Sequence, residues 1–321
     1  MRATHIRRTA GAVISAVALG TLPSVAVAEA TAQTAATAQR DAATAAADRR
    51  PGTGTVRHIA LQGAVNVRDL GGYRTDQGRQ MRYGQVYRAD SLSELTDSDV
   101  ATLAALDLRT VVDFRVPLEV EHDGADRLPA GVTATSRSVN DLGLYARTTE
   151  AIGSKDPVRQ QEMLGDGRAE ELMRSIYRSF VTSPESRSRF AAVLRDIAHR
   201  EQSPLLYHCT SGKDRTGWMS YLLLRAVGVP SDTAARDFLL SNDFRREADR
   251  RTRDGLRRAG LMENPDLLVP LQEVRMDYLD AALDQMDDDY GSLHGYLREG
   301  LGLDTATLAK LRARLLRGGR A

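Results

Sequence analysis

The sequence of 321 residues contains a single cysteine, Cys209. An intrachain disulfide is therefore excluded, and Cys209 is either an inert core thiol or a chemically active group. Basic and acidic side chains number 44 and 43, so the net charge of +1 gives no general affinity for polyanions such as nucleic acids. The sequence also lacks internal repeats, coiled-coil heptads and the complete Gly-x4-Gly-Lys-Ser/Thr pattern of nucleotide-binding loops.

Long hydrophobic runs are missing too, and the apolar stretch over residues 10–22 is too short to cross ~30 Å of hydrocarbon. Three arginines precede this stretch, and Ala26-Val27-Ala28 follows it as a cleavage site of small residues. This order is typical of a secretory signal peptide. We therefore predict a signal peptide over residues 1–28 and a secreted protein without a stable membrane span. Arg7-Arg8 leaves twin-arginine export open as an alternative route.

The remaining chain divides by composition into two parts. Residues 29–54 are rich in Ala, Thr and Gln without apolar periodicity, which predicts a flexible leader. We expect a single folded domain over residues 55–321. Within it, short segments bounded by glycine and strongly apolar segments favour strands, namely residues 65–68, 71–73, 85–88, 109–115, 132–139 and 205–207.

Helical patterns alternate with these strands and then dominate. Thr96 to Asp99 is typical of a helix start, and the helical pattern over residues 170–200 has a break near Ser183-Pro184. From Thr216 onward almost every segment has helical character, with predicted helices over residues 216–227, 231–244, 264–288, 292–301 and 305–316. The order predicts a layered α/β domain with a helical C-terminal half.

The stretch from Leu205 to Trp218 brings the only cysteine into a phosphate-binding pattern. Cys209 follows an apolar strand, Arg215 lies six positions later, and a helix begins near Thr216. The N-terminus of a helix and a nearby guanidinium both stabilise a thiolate, so we expect Cys209 to be ionised. Successive backbone N–H groups in such a loop bind an anion, and Gly212 permits the tight bend.

This arrangement indicates attack of sulfur on phosphorus. Cys209 is predicted to form a cysteinyl-phosphate that water hydrolyses, and Arg215 to bind two phosphate oxygens. No metal or cofactor is required, because Arg215 and the loop amides neutralise the phosphoryl charge. Asp214 is predicted to protonate the leaving oxygen. The predicted substrate-binding residues are Thr210, Ser211, Gly212, Lys213 and Thr216.

Thr216 and Lys213 have further predicted roles, and Asp141 is an alternative to Asp214 as the general acid. Thr216 is expected to donate a hydrogen bond to the thiolate, and Lys213 to add a cation at the rim of the site. Asp141, after the strand that ends at Val139, is the alternative acid, although a solvated turn residue is the preferred interpretation.

Other polar residues of the sequence suit structural roles. His208 is expected to orient the loop, and Asp113 to pair with Arg115. Asn66, Arg68 and Asp69 fit a scaffold near the site, and a plain turn beside Gly71-Gly72 would suit them equally well.

The loop His208-Cys209-Thr210-Ser211-Gly212-Lys213-Asp214-Arg215-Thr216-Gly217 resembles that of the cysteine-dependent protein tyrosine phosphatases. It is most similar to an atypical bacterial family with secreted members in mycobacteria and Listeria. Upstream motifs that resemble the same family are residues 66–73, Arg88-Ala89-Asp90, and Asp113-Phe114-Arg115 with Glu119. Phe114 and Ala89 replace the more usual Leu and Ser.

The resemblance implies a central mixed sheet flanked by helices, with Cys209 as nucleophile, Arg215 as phosphate binder and Asp214 as acid. It also implies phosphorylated protein or phosphoinositide substrates, because some members accept phosphoserine, phosphothreonine and phosphoinositides, a breadth associated with a lysine such as Lys213. Residues 142–167 and 239–262 are the candidate lid segments. A phosphate-binding module without turnover and a sulfurtransferase are the alternative functions.

Overall fold

The computed structural model describes residues 56–318. The predicted signal peptide and the whole of the predicted leader lie outside the described residues, so both remain predictions, as does the division into three parts. No helix among the described residues is long and apolar enough to span a membrane.

Eight short strands are present in the described range: β1 Arg57–His58, β2 Arg68–Asp69, β3 Gln80–Met81, β4 Val86–Ala89, β5 Thr110–Asp113, β6 Thr133–Ser136, β7 Leu205–His208 and β8 Leu316–Arg317. Six of them form one sheet in the order β1-β2-β4-β7-β5-β6. The pairs β4–β7, β7–β5 and β5–β6 are parallel, whereas β1, β2 and β4 pair antiparallel. The predicted mixed sheet is therefore confirmed.

Helices flank the sheet and fill the C-terminal half, as predicted. They are α1 Asp97–Ala104, α2 Pro117–Asp123, α3 Leu144–Ser154, α4 Pro157–Leu164, α5 Arg168–Thr182, α6 Pro184–Ala198, α7 Arg215–Val227, α8 Ser231–Arg258, α9 Val269–Gln272, α10 Met276–Tyr290, α11 Leu293–Gly295 and α12 Thr305–Leu315. Short 3-10 turns occupy Arg200–Gln202 and Pro265–Leu268, and a π-helical turn spans Tyr296–Gly300.

Most helix boundaries follow local signals. Thr96 caps α1 through its side chain, and Ser183 separates α5 from α6. Three predictions were wrong. Residues 71–73 lie in a turn rather than a strand. Helix α8 continues to Arg258 rather than ending near residue 244, and the predicted helix over residues 264–288 is interrupted before Met276. Asn242 of α8 explains the interruption, because it exchanges two hydrogen bonds of 2.8 Å with the backbone of Val274.

The central strands β4, β5 and β7 are buried on both faces, whereas the outer strands β1 and β6 are largely exposed. Alternate residues of the central strands contribute to two separate hydrophobic clusters, with Val112 and Tyr207 in the larger cluster and Val111 and Leu206 in the smaller. Both faces of the central strands are thus unavailable to ligands. The carboxyl ends of β4, β5 and β7 meet at one edge, where ligand sites of such sheets form.

Candidate active site

Cys209 is the first residue after β7, at the carboxyl edge of the sheet. Residues 209–214 form a loop that leads directly into α7, which begins at Arg215. The Cys209 side chain is 1% exposed and lines a cavity of about 150 Å³. A group that reaches the sulfur must therefore enter the cavity.

The backbone of this loop presents its N–H groups without internal partners. Among the described residues, no backbone N–H of residues 210 to 214 donates a hydrogen bond to another group of the chain. Helix α7 has thirteen residues, so its dipole adds partial positive charge at the same place. Free amides beside a helix N-terminus form a binding site for a tetrahedral oxyanion.

Gly212 allows this loop to approach the neighbouring strand. Its φ of +65° lies in the left-handed region, and a Cβ there would stand 2.4 Å from the carbonyl oxygen of Ala89. The Gly212 carbonyl accepts hydrogen bonds from Asn66 Nδ2 at 3.1 Å and from an Arg88 guanidinium nitrogen at 2.8 Å. Asn66 also donates to the Ser211 carbonyl at 3.1 Å. The loop carbonyls are thus held on the side away from the cavity.

A buried ion-pair network fixes the groups that hold the loop. Asp237 of α8 accepts from Arg68 at 3.1 Å and from Arg88 at 2.7 Å, and Tyr73 donates to it at 2.9 Å. Burial alone would raise the pKa of Asp237, but the two guanidinium groups hold it below its usual value. The sequence-based expectation of a scaffold is confirmed for Asn66 and Arg68. Asp69 instead accepts from turn amides.

Arg215, the first residue of α7, is oriented by Glu119 of α2. Two guanidinium nitrogens donate to the two carboxylate oxygens of Glu119, each at 2.6 Å. Burial alone would lower the pKa of Arg215, but Glu119 raises it well above its usual value. The hydroxyl of Thr210 also donates to Glu119 at 2.6 Å. Arg215 is therefore charged and held beside the loop.

Asp214 lies at the end of the loop with three partner contacts. Lys213 Nζ lies 2.9 and 2.7 Å from its two oxygens, and the hydroxyl of Tyr177 donates to Oδ1 at 2.9 Å. Lys213 was predicted as a second cation at the rim of the site, and its side chain is buried and approaches the Glu273 carbonyl at 3.4 Å. Helical segments after α8 cover this cation, which nevertheless lines the cavity.

Asp141 also lines the cavity, but its carboxylate serves the backbone. Its two oxygens accept hydrogen bonds from the N–H groups of Gly143 at 3.0 Å and Tyr145 at 2.9 Å. The prediction of a turn residue is correct, although the side chain is buried rather than solvated. Both oxygens are thus engaged, whereas the Asp214 contacts are to side chains that can rearrange.

His208 anchors the strand behind the loop, as predicted. Its Nε2 lies 2.9 Å from a carboxylate oxygen of Asp126, and Arg115 joins Asp126 and Asp113 at 2.8 and 2.9 Å. Burial alone would lower the pKa of His208, but Asp126 and Asp113 raise it above its usual value. The predicted Asp113–Arg115 pair is confirmed. The His–Asp–Arg cluster stabilises the end of β7.

The remaining predicted residues surround the same cavity. Thr210, Ser211, Lys213, Asp214 and Arg215 line it together with Cys209. Thr216 is fully buried, and its hydroxyl has no hydrogen-bond partner among the described residues, so its predicted bond to the sulfur remains a prediction. Both candidate lid segments contribute to the lining: Leu144, Tyr145, Thr148, Thr149 and Ile152 from the first, and Arg245, Asp249 and Thr252 from the second.

Sequence reasoning missed several residues that position the loop. Arg88 was noted only as part of a motif, although a charged residue inside a short buried strand is a signal of a special role. Asp237 and Tyr177 carried no local signal, because their partners lie far away in the sequence. Arg245 donates to the Ser211 carbonyl at 3.4 Å, a contact that its local pair with Asp249 does not indicate. Glu119 had the same limitation, since Arg215 is 96 positions downstream.

A comparison with protein families gives one match over nearly the whole described range. Residues 59–317 match the model of the tyrosine phosphatase family. The chain belongs to the tyrosine phosphatase family. The predicted family and fold class and the prediction of a phosphatase are thereby confirmed. The family match covers the Cys209 loop and every scaffold residue described above.

Individual relatives agree with this membership. A Cupriavidus necator protein assigned to the tyrosine-protein phosphatases is 33% identical over 259 residues, which are 78% of this chain and 87% of the relative. The triple specificity protein phosphatase PtpB of Mycobacterium tuberculosis is 31% identical over 277 residues, 80% of this chain and 98% of that protein. The solved structure of P. aeruginosa TpbA with phosphotyrosine matches 66% of this chain and 98% of its own, at 19% identity and a TM-score of 0.32.

Proposed function

We propose that this tyrosine phosphatase hydrolyses phosphate monoesters through a cysteinyl-phosphate on Cys209. The observation that carries the proposal is the loop of free N–H groups between Cys209 and Arg215, closed by the charged guanidinium of Arg215. A phosphate bound there has its phosphorus next to the sulfur. The loop and Arg215 would neutralise the equatorial oxygens of the transition state.

In the first step the Cys209 thiolate attacks phosphorus, and the bond from phosphorus to the ester oxygen breaks. Asp214 gives its proton to that oxygen, which leaves as an alcohol or a phenol. Asp214 must carry a proton for this step, so its ion pair with Lys213 has to open when substrate binds. The phosphate itself offers Lys213 an alternative anionic partner.

In the second step water attacks the cysteinyl-phosphate, and Asp214 removes a proton from the water. The bond between sulfur and phosphorus breaks, and inorganic phosphate and the thiolate are released. The unpartnered hydroxyl of Thr216 is buried next to the start of α7 and would donate to the returning thiolate. A hydrogen bond to the thiolate makes sulfur a better leaving group.

The cavity favours aryl phosphates. Cys209 is buried, and the walls carry the apolar side chains Leu144, Ile152, Leu268 and Leu271. A phosphotyrosine places a long, flat apolar group between its phosphate and its backbone, which suits such walls. Acceptance of phosphoserine, phosphothreonine and phosphoinositides is part of the proposal, supported by the triple specificity named for the mycobacterial relative.

Turnover of para-nitrophenyl phosphate in chelator-treated buffer tests the reaction. Wild type should hydrolyse it, whereas Cys209→Ser should be inactive and still bind substrate. A wild type without turnover would refute the proposal, and thiosulfate-dependent thiocyanate formation from cyanide would support a sulfurtransferase instead. Phosphate release from phosphotyrosine and phosphoserine peptides and from phosphoinositide vesicles then ranks the substrates.

Export is a separate proposal that rests on the N-terminal sequence. The arginines, the apolar stretch and Ala26-Val27-Ala28 support cleavage after Ala28 and secretion of the enzyme. N-terminal sequencing of protein recovered outside the cytoplasm should begin at Glu29. Uncleaved protein retained in the cells would contradict the proposal.

A further inference from the structure

A second cleft lies at the amino ends of β4 and β7, at the end of these strands opposite to Cys209. It has a volume of about 690 Å³ and is bounded by the ends of α6 and α12 and by the residues that lead into β4 and β7. Ser203 lies there, just before β7 and six positions before Cys209, which follows the strand. At ~3.3 Å per residue the two sites are roughly 20 Å apart.

The cleft is lined by cations and by no acidic side chain of the described residues. Arg82, Arg200, Lys310 and Arg314 contribute to its walls. None of these four forms an ion pair with a carboxylate among the described residues, whereas other surface arginines such as Arg168, Arg236 and Arg250 do. Four unpaired cations around one concave surface attract an anion of more than one charge.

Two buried polar atoms in the wall also lack partners. Ser203 is 6% exposed, and its hydroxyl has no hydrogen-bond partner among the described residues; the same holds for Nε of Arg314. Buried polar groups are normally satisfied, so an unpaired hydroxyl and an unpaired guanidinium N–H at one cleft indicate a bound acceptor. Burial, together with the nearby Arg200, lowers the pKa of Arg314. An anion bound between Arg200 and Arg314 would raise this pKa again.

We propose that this cleft binds a ligand that carries two or more phosphoryl groups, at a site separate from the catalytic loop. Arg200, Lys310 and Arg314 bind the phosphoryl oxygens, and the hydroxyl of Ser203 donates to one of them. The small side chains Ala198 and Ala313 leave room for the rest of the ligand. The source of the phosphoryl groups is either a free polyphosphate or a phosphoinositide headgroup.

The test measures binding in an Arg215→Ala background, which removes the strongest phosphate ligand of the catalytic loop. Inorganic pyrophosphate is titrated calorimetrically, and co-sedimentation uses phosphatidylcholine vesicles with and without phosphatidylinositol bisphosphate. Adding Arg200→Ala with Arg314→Ala should weaken binding at least about tenfold. The matched control, Arg257→Ala with Arg258→Ala, changes two exposed arginines at the end of α8 and should leave binding unchanged.

Lys310→Glu keeps the proposal testable if the arginine variants fold poorly, because Lys310 is exposed. Binding of pyrophosphate identifies a free ligand, and binding confined to the phosphoinositide vesicles identifies a headgroup. Either result supports the site when the cleft variants weaken that binding. Absence of binding to both probes, or equal loss in the control variant, overturns the proposal. In the Arg215 wild type, cleft variants should hydrolyse para-nitrophenyl phosphate normally, so the outcome is independent of the proposed reaction.

Discussion

The guanidinium of Arg215 faces the carboxylate of Glu119 through two hydrogen bonds of 2.6 Å. A third hydrogen bond, from Arg215 to the Phe114 carbonyl at 3.2 Å, fixes the same side chain from behind. Glu119 is itself held by Thr210 and by the backbone of Val116. The cation at the start of α7 is therefore oriented before any phosphate arrives, so little conformational entropy is lost when it binds one.

Glu119→Gln tests this orientation. The neutral amide leaves a buried guanidinium without its counter-charge, so the free energy of unfolding should fall by about 3 kcal/mol. The looser Arg215 should reduce kcat/KM by about a hundredfold. Glu121→Gln, an exposed change on the same helix, should alter unfolding by less than about 0.5 kcal/mol. Wild-type kcat/KM in Glu119→Gln would refute the orienting role.

Gly212→Ala tests the close approach of the loop to β4. The added Cβ would lie 2.4 Å from the Ala89 carbonyl oxygen, in a left-handed backbone conformation. We expect a loss of about 1–3 kcal/mol in unfolding free energy and about a hundredfold loss in kcat/KM. Gly153→Ala in α3 meets no atom within 4 Å and should instead stabilise the protein by about 0.5–1 kcal/mol. An active, stable Gly212→Ala enzyme would contradict the geometry.

Asp214→Asn and Asp141→Asn together decide which residue is the acid. Phenyl phosphate has a poor leaving group and needs protonation, whereas para-nitrophenyl phosphate needs it far less. Asp214→Asn should lower kcat for phenyl phosphate about a hundredfold or more, with a smaller effect on para-nitrophenyl phosphate. Asp141→Asn should affect both substrates equally, because its carboxylate binds backbone N–H groups. The reverse pattern would assign the acid to Asp141.

The His208–Asp126 pair gives a pH dependence of stability. The pKa of His208 is raised in the folded protein, since Asp126 and Asp113 outweigh burial and Arg115, so the stabilisation is complete below pH 6.5 and is lost as pH rises through the raised pKa. The pKa of Asp126 is lowered, since His208 and Arg115 outweigh burial, so stabilisation from it is lost as pH falls below 3.8 and through the lowered pKa.

Asp126→Asn should therefore lower the free energy of unfolding by about 1–3 kcal/mol between pH 3.8 and pH 6.5, and by less at alkaline pH. Chemical denaturation across pH measures the difference from wild type. The exposed change Asp76→Asn serves as control and should give a small difference without this profile. A cost that does not change with pH would show that the ion pair adds nothing to the hydrogen bond.

Peroxide should inactivate the enzyme irreversibly unless an external thiol is present, because the chain has no second cysteine. Cys209 is the only thiol in the chain, so a sulfenic acid formed there has no intrachain partner to form a protective disulfide. Peroxide-treated enzyme should regain activity when thiols are added promptly. Without them, the activity that can be recovered should fall progressively as the sulfur is oxidised irreversibly. Activity assays after timed addition of dithiothreitol measure this. Full recovery without a reductant would contradict the prediction.

Local sequence patterns predicted the centre of the site and the element types around it. The spacing from Cys209 to Arg215, the strand before it and the helix after it all act within a few residues of each other. The break at Ser183 and the cap at Thr96 are local in the same sense. These features could be predicted because each depends on neighbours in the sequence.

The support around the loop could not be predicted, because it depends on contacts between distant segments. Asp237 pairs with Arg68 169 positions away, and only the folded chain brings α8 against β2 and β4. The burial of Lys213 could not be predicted for the same reason, since its contacts include the backbone of Glu273, 60 positions downstream. The sequence near Gly212 and Lys213 does not indicate this burial, because the segment that covers Lys213 lies far away in the chain.

The most direct test of the central claim is rapid-quench mass spectrometry of the enzyme during turnover of para-nitrophenyl phosphate. The proposed mechanism predicts a phosphoryl group on the peptide that contains Cys209, formed in the first turnover and absent from Cys209→Ser. Steady turnover with an unmodified Cys209 peptide, or with the phosphoryl group on another residue, would contradict the mechanism.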